Sequence, residues 1–182
     1  MSMTRWMSWE GGVDLAGFTA PGLAAPNLVV HVGRMVHSPA GHAPAGLVLW
    51  QPEPRSAPAV MGFVCEDDAL ARYFGPQIFA GTPFEHAPCL RGIVRVFFEG
   101  NACGSRVEVE GHVFETTLHE LGPLEVVNRP QGALPFHQQG LEAVPQRVSV
   151  KVDGRALDVI VPPVGMSGGP AVAWSPCGSY SR

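Results

Sequence analysis

Apolar and polar positions alternate with a period of two over much of the chain, the signature of half-buried β-strands. LVVHVGRMV (28–36), GLVLWQ (46–51), AVMGFV (59–64) and GIVRVFFE (92–99) each carry β-branched or aromatic residues at alternate positions between Gly or Pro boundaries. RVEVEGHVFETTL (106–118) is expected to form one further strand, with Val107, Val109 and Val113 on a shared face and Gly111 as a bulge. The clearest local signal is VSVKVDGRALDVIV (148–161). Asp153-Gly154 accepts the positive φ of a tight turn, so an antiparallel hairpin is predicted there. LEVV (124–127) and AVAW (171–174) add shorter strands.

Helical patterning is confined to EDDALARYF (66–74), where acidic residues at the start cap free N–H groups and Gly75-Pro76 is expected to stop the helix. The fold class predicted is mostly β, an antiparallel β-barrel or β-sandwich of about eight strands with one short helix near 66–74. All 182 residues are assigned to one domain. Residues 1–12 read as an N-terminal arm carrying Trp6 and Trp9, and 74–90 as a long loop with Phe74, Ile78, Phe79 and Phe84. A loop of that length and apolarity is either a plug over the sheet or a contact surface.

Composition narrows the function classes. Charged residues make up only 15% of the chain, which favours self-association, so a homo-oligomer is expected. The eleven arginines and the one lysine, Lys151, form no basic run, and net charge is −4. A nucleic-acid surface needs clustered cations to displace counterions, so no nucleic acid is expected as a partner. The N-terminus lacks the apolar core of a secretion signal and no later run reaches the length of a membrane span, which points to a cytoplasmic protein without membrane contact. The four cysteines, Cys65, Cys89, Cys103 and Cys177, are read as reduced thiols.

Two short motifs suggest chemistry. Gly165-Met166-Ser167-Gly168-Gly169-Pro170 resembles the nucleophile turn of chymotrypsin-like serine proteases, in which glycines aim backbone N–H groups at an oxyanion. The resemblance spans six residues and implies a serine hydrolase using Ser167, with His31, His37 or His86 upstream as the base. It departs from that family at Met166, where an acidic residue or Asn is usual. The competing reading is a Gly-rich turn between strands, in which Ser167 lacks a histidine within reach. His86-Ala87-Pro88-Cys89 has the gap of a metal knuckle that Cys65 or Cys103 would complete, but no second close pair accompanies it. No metal and no cofactor are expected.

The most informative feature is charge on apolar faces. Counting by two places Arg34 with Leu28, Val30, Val32 and Val36, Arg95 between Ile93 and Phe97, and Glu115 beyond Val113. Charges at core-facing positions are costly unless paired, so they mark internal ion pairs or a polar pocket. His31 and His112 are added as polar pocket groups, since neither shares a strand face closely enough with another histidine to bind one ion. The expected function is binding of a small anionic or carbonyl-bearing ligand inside the β-structure by Arg34, Arg95, His31 and His112, with Glu115 as acid or base if there is catalysis. The alternative is an oligomerising or partner-binding protein that uses the 74–90 loop and the tryptophan arm as its interface.

Overall fold

A computed structural model describes residues 5–132 and 134–182. The fold is mostly β, with 58% of residues in strands and 6% helical, in two sheets not closed into a barrel, as in a sandwich. Thirteen strands, numbered in chain order, are found among the described residues. The larger sheet runs β5 (Cys89–Leu90), β4 (Val60–Cys65), β3 (Gly41–Trp50), β2 (Leu28–Ser38), β1 (Trp6–Gly17), β13 (Val172–Ser181), β10 (His137–Glu142), β9 (Glu125–Arg129). The smaller runs β12 (Arg155–Leu157), β11 (Pro145–Val152), β8 (His112–Leu121), β7 (Ala102–Val109), β6 (Gly92–Glu99). All neighbours pair antiparallel except β4 and β5.

Two apolar layers hold the sheets. Val13, Leu15, Val30 and Val48 of the larger sheet meet Val107, Phe114, Leu118 and Val150 of the smaller one. On the other face of the larger sheet, Trp9, Leu47 and Phe63 are covered by Leu70, Phe74, Ile78 and Phe79. The 74–90 segment is therefore a plug: Phe74 and Phe79 pack on Phe63 at 5.5 and 5.3 Å between ring centres. Each such buried side chain contributes about 1.5–3 kcal/mol. Phe74, Ile78 and Phe79 are thereby buried against the sheet, and the outward residues Pro76, Pro83, His86 and Pro88 of the segment are exposed.

The helix α1 (Asp68–Tyr73) is capped by Asp67, whose carboxylate accepts from the Ala69 and Leu70 amides at 2.8 and 3.1 Å. Gly75-Pro76 does not stop the chain's winding. A π-helical turn over Phe74–Ile78 absorbs them, closed by Phe79 N–H to the Phe74 carbonyl at 2.9 Å.

The supposed arm is a strand at the centre of the larger sheet, between β2 and β13, from Trp6 onward. Its alternation is hidden because the sheet exchanges its faces along one row. Met7 and Trp9 lie on the plugged face, whereas Val13 and Leu15 lie between the sheets, although all four share parity. The same exchange separates Val32 from Val36 in β2 and Trp174 from Tyr180 in β13. Gly11 makes it possible in β1 with a φ of +64°, and β2 carries a register shift between Gly33 and Val36. Trp9 then lies flat on Gly12 and Gly178, with its Nε1 donating to Ser175 Oγ at 2.9 Å.

Two hairpins show what a turn dipeptide does. Asp153 (φ 53°) and Gly154 (φ 77°) join β11 to β12 as predicted. Glu110 (φ 51°) and Gly111 (φ 78°) have the same geometry, so 106–118 is not one bulged strand but the hairpin β7–β8. No helix among the described residues is long and apolar enough to cross a membrane.

Candidate functional site

The outer face of the smaller sheet carries a row of charge. Inward positions on these strands are Val94, Val107, Phe114, Val150 and Val152, so the alternate residues face outward. Register then aligns Arg95 of β6, Arg106 of β7, Glu115 of β8 and Lys151 of β11 side by side. One step along, Phe97, Gly104, Thr117 and Ser149 align in the same way, and the Phe97 ring lies over Gly104.

All of these outward residues except Gly104 line a cleft of about 590 Å³, to which Arg34 and Pro44 of the larger sheet also contribute. Arg34, Arg95 and Glu115 thus share one site, but not the internal one expected. The core-facing placements are corrected. Arg34 sits at the face exchange between Gly33 and Val36, and its side chain is 59% exposed. Val94 rather than Arg95 points inward. The turn at Glu110-Gly111 shifts parity, so Phe114 and Thr116 are buried and Glu115 lies outward, 38% exposed.

Charge in the cleft is unbalanced. Arg106 donates from Nε to Glu108 and from a terminal nitrogen to Glu115, each at 2.9 Å, and these bonds push its guanidinium pKa further up. Glu115 therefore positions a cation and is not an unencumbered base. Arg34 donates to Glu10 at 2.9 Å, and Glu10 also meets His37 at 3.2 Å. Arg95 and Lys151 take part in no ion pair among the described residues.

His31 and His112 lie away from this cleft. His112 Nδ1 meets Asp153 Oδ2 at 2.8 Å, and Asp153 Oδ1 accepts from the Val113 amide at 2.9 Å, which fastens the β8 start to the β11–β12 turn. The Val113 amide first and His112 second hold the Asp153 carboxyl below its usual pKa. His31 is paired with Asp14 on the opposite face of the larger sheet, its ring parallel to Tyr180 at 6.2 Å. Burial lowers the His31 pKa, but the charge and hydrogen bond of Asp14, with Glu142 beyond, outweigh it and the net shift is upward. Open space beside Asp14 and His31 under the plug amounts to about 20 Å³, room for one water rather than a ligand.

A second polar cluster on that face has no counterpart in the sequence reading beyond His31. Arg129 forms two parallel bonds to Glu142, at 2.8 and 2.6 Å, and a third to Gln138 at 3.0 Å. Glu142 is only 8% exposed. Burial, with Asp14 and Glu142 nearby, raises the Tyr180 pKa well above its usual value, so the phenol keeps its proton. The signal for this cluster was the spacing of Gln138 and Glu142, which puts two polar groups on one strand face.

The two motifs resolve structurally. In the Gly165–Pro170 segment, the Gly165 amide donates to the Gly169 carbonyl at 2.7 Å and Gly169 lies against the Arg129 guanidinium. No hydrogen bond joins Ser167 to a histidine among the described residues. Cys65 and Cys103 are buried in different apolar layers, and no cluster of three metal-binding side chains occurs among the described residues. Burial pushes the Cys103 thiol up to about 12. No protein-family model, curated protein or solved structure matches this chain.

Proposed function

We propose that the chain binds a small, multiply charged anion in the cleft on the outer face of the smaller sheet. The observation that carries this reading is Arg95 directly opposite Arg106, with Lys151 on the same row. Like charges directly opposed on neighbouring strands are destabilising. Arg34, Arg95, Arg106 and Lys151 line the cleft; Arg34 is paired with Glu10 and Arg106 with Glu108 and Glu115, which leaves Arg95 and Lys151 without a counter-charge among the described residues. An anion relieves that repulsion.

The ligand class follows from the donors. Guanidinium forks match carboxylate or phosphoryl oxygens two at a time, and Lys151 adds a point charge. Thr117 and Ser149 supply neutral hydroxyls, and Phe97 gives an apolar margin. A di- or tricarboxylate, or a phosphate-bearing metabolite, fits this set. The role assigned is recognition; Glu115 holds Arg106 in place.

Thermal denaturation with pyrophosphate and with citrate, at constant ionic strength, tests the reading. A ligand that binds only the native state at a hundred times its Kd adds about 2.7 kcal/mol, a Tm rise of roughly 5 °C or more. Arg95→Gln/Lys151→Gln is expected to lose that rise. No saturable rise in the wild type, or an equal one in the variant, rejects the cleft.

A further inference from the structure

The larger sheet ends in β9, which has one hydrogen-bonded neighbour, β10. Unpaired edges are usually blunted by brevity, by lysine or by a covering element. β5 spans two residues and β12 three, and β6 lies against β2, β3 and β4. β9 has five residues, and among the described residues no strand pairs with its outer edge. Val126 on it is 84% exposed and Leu124 just before it 55%, beside a depression of about 390 Å³ that Pro123, Val126, Val144 and Pro170 help to line.

The charges of β9 are arranged to match a second β9 running the other way. Glu125 stands directly opposite Glu142 on β10, a like-charge pairing, and makes no ion pair among the described residues. Arg129 lies four positions on, and its Nε makes no hydrogen bond there although both terminal nitrogens do. An antiparallel pairing of two β9 strands about a two-fold axis at Val127 puts Glu125 of each copy opposite Arg129 of the other. A shift of one residue removes both matches.

We propose that two copies of the chain join edge to edge through β9 in this register, extending the larger sheet across the dimer. Backbone hydrogen bonds along the edge supply the pairing, the two Glu125–Arg129 contacts set its register, and the exposed Val126 side chains of the two copies become diagonal neighbours across the axis. The occupant is a second copy because β9 complements itself.

Sedimentation equilibrium at micromolar concentration tests this. The wild type is expected to be a dimer, and Val126→Lys and Glu125→Lys monomers with unchanged circular dichroism. Val127→Cys, with Cys89 and Cys177 replaced by Ser, places two thiols across the axis and is expected to form a disulfide dimer on mild oxidation. A wild-type monomer, a dimer that survives both lysine substitutions, or a Val127→Cys variant that does not cross-link overturns the proposal. Because the cysteine variant leaves the edge intact, misfolding of a lysine variant cannot be mistaken for loss of the interface.

Discussion

Arg95 and Arg106 face each other directly across the β6–β7 pair, two guanidinium groups on one row of one sheet face. Arg106 is held by Glu108 and Glu115, whereas Arg95 is exposed and unpaired among the described residues. Without ligand, Arg95 is therefore a source of repulsion. Arg95→Gln is expected to raise the ligand-free Tm by about 1–3 °C in low salt while weakening anion binding. Differential scanning calorimetry with and without citrate measures both. A lower ligand-free Tm in the variant contradicts the assignment.

The Arg129–Glu142 pair behaves in the opposite way. With Glu142 buried, Arg129→Met leaves an uncompensated carboxylate and is expected to cost about 3 kcal/mol, toward the low end for a buried pair because Arg129 is partly exposed. Arg129→Met/Glu142→Leu is expected to recover most of it. Urea denaturation of both variants is the check, and equal losses in the two would show that the pair's charge is not what matters.

Thr116 stands opposite Ser105 in the layer between the sheets, and both hydroxyls are buried without a hydrogen-bond partner among the described residues. An unsatisfied buried polar group costs about 1–3 kcal/mol. Thr116→Val keeps the shape and removes the hydroxyl, so a gain of about 1 kcal/mol is expected by urea denaturation. A loss of stability would mean that the hydroxyl has a partner.

His31 gives the fold a pH dependence. Its folded-state pKa lies above 6.5, so the folded chain binds the proton more tightly than the unfolded one. The stabilisation from its pairing with Asp14 is complete below the unfolded value and is lost as pH rises through the folded one. Tm is expected to fall across neutral pH, and Asp14→Asn to flatten that fall. An NMR titration of the His31 ring locates the transition, and a midpoint below 6.5 contradicts it.

Most strands were legible because alternation survives wherever one face is apolar. β2, β3, β4, β6, the hairpin at Asp153-Gly154 and the capped helix all follow from local pattern. Parity failed at two places, and the site readings depended on parity. The face exchange at Gly11 and Arg34 turned Arg34 outward, and the turn at Glu110-Gly111 turned Glu115 outward. Both errors come from residues in left-handed or bulged backbone, which break a count of two without breaking the strand pattern. β10 was invisible for another reason. Its buried positions are Gln138 and Glu142, which satisfy Arg129 rather than an apolar core, so HQQGLE shows no hydrophobic alternation. Arg34, Arg95 and Glu115 were still grouped together, because charges interrupting strand patterns identified them before their faces were known.

Calorimetric titration of citrate into the wild type and into Arg95→Gln/Lys151→Gln, at fixed pH and ionic strength, tests the basic cleft most directly. The account predicts saturable one-to-one binding to the wild type that weakens steeply with added salt and is lost in the variant. Binding of equal strength in both proteins would contradict it, as would saturating the wild type with pyrophosphate and citrate in turn and finding no heat from either.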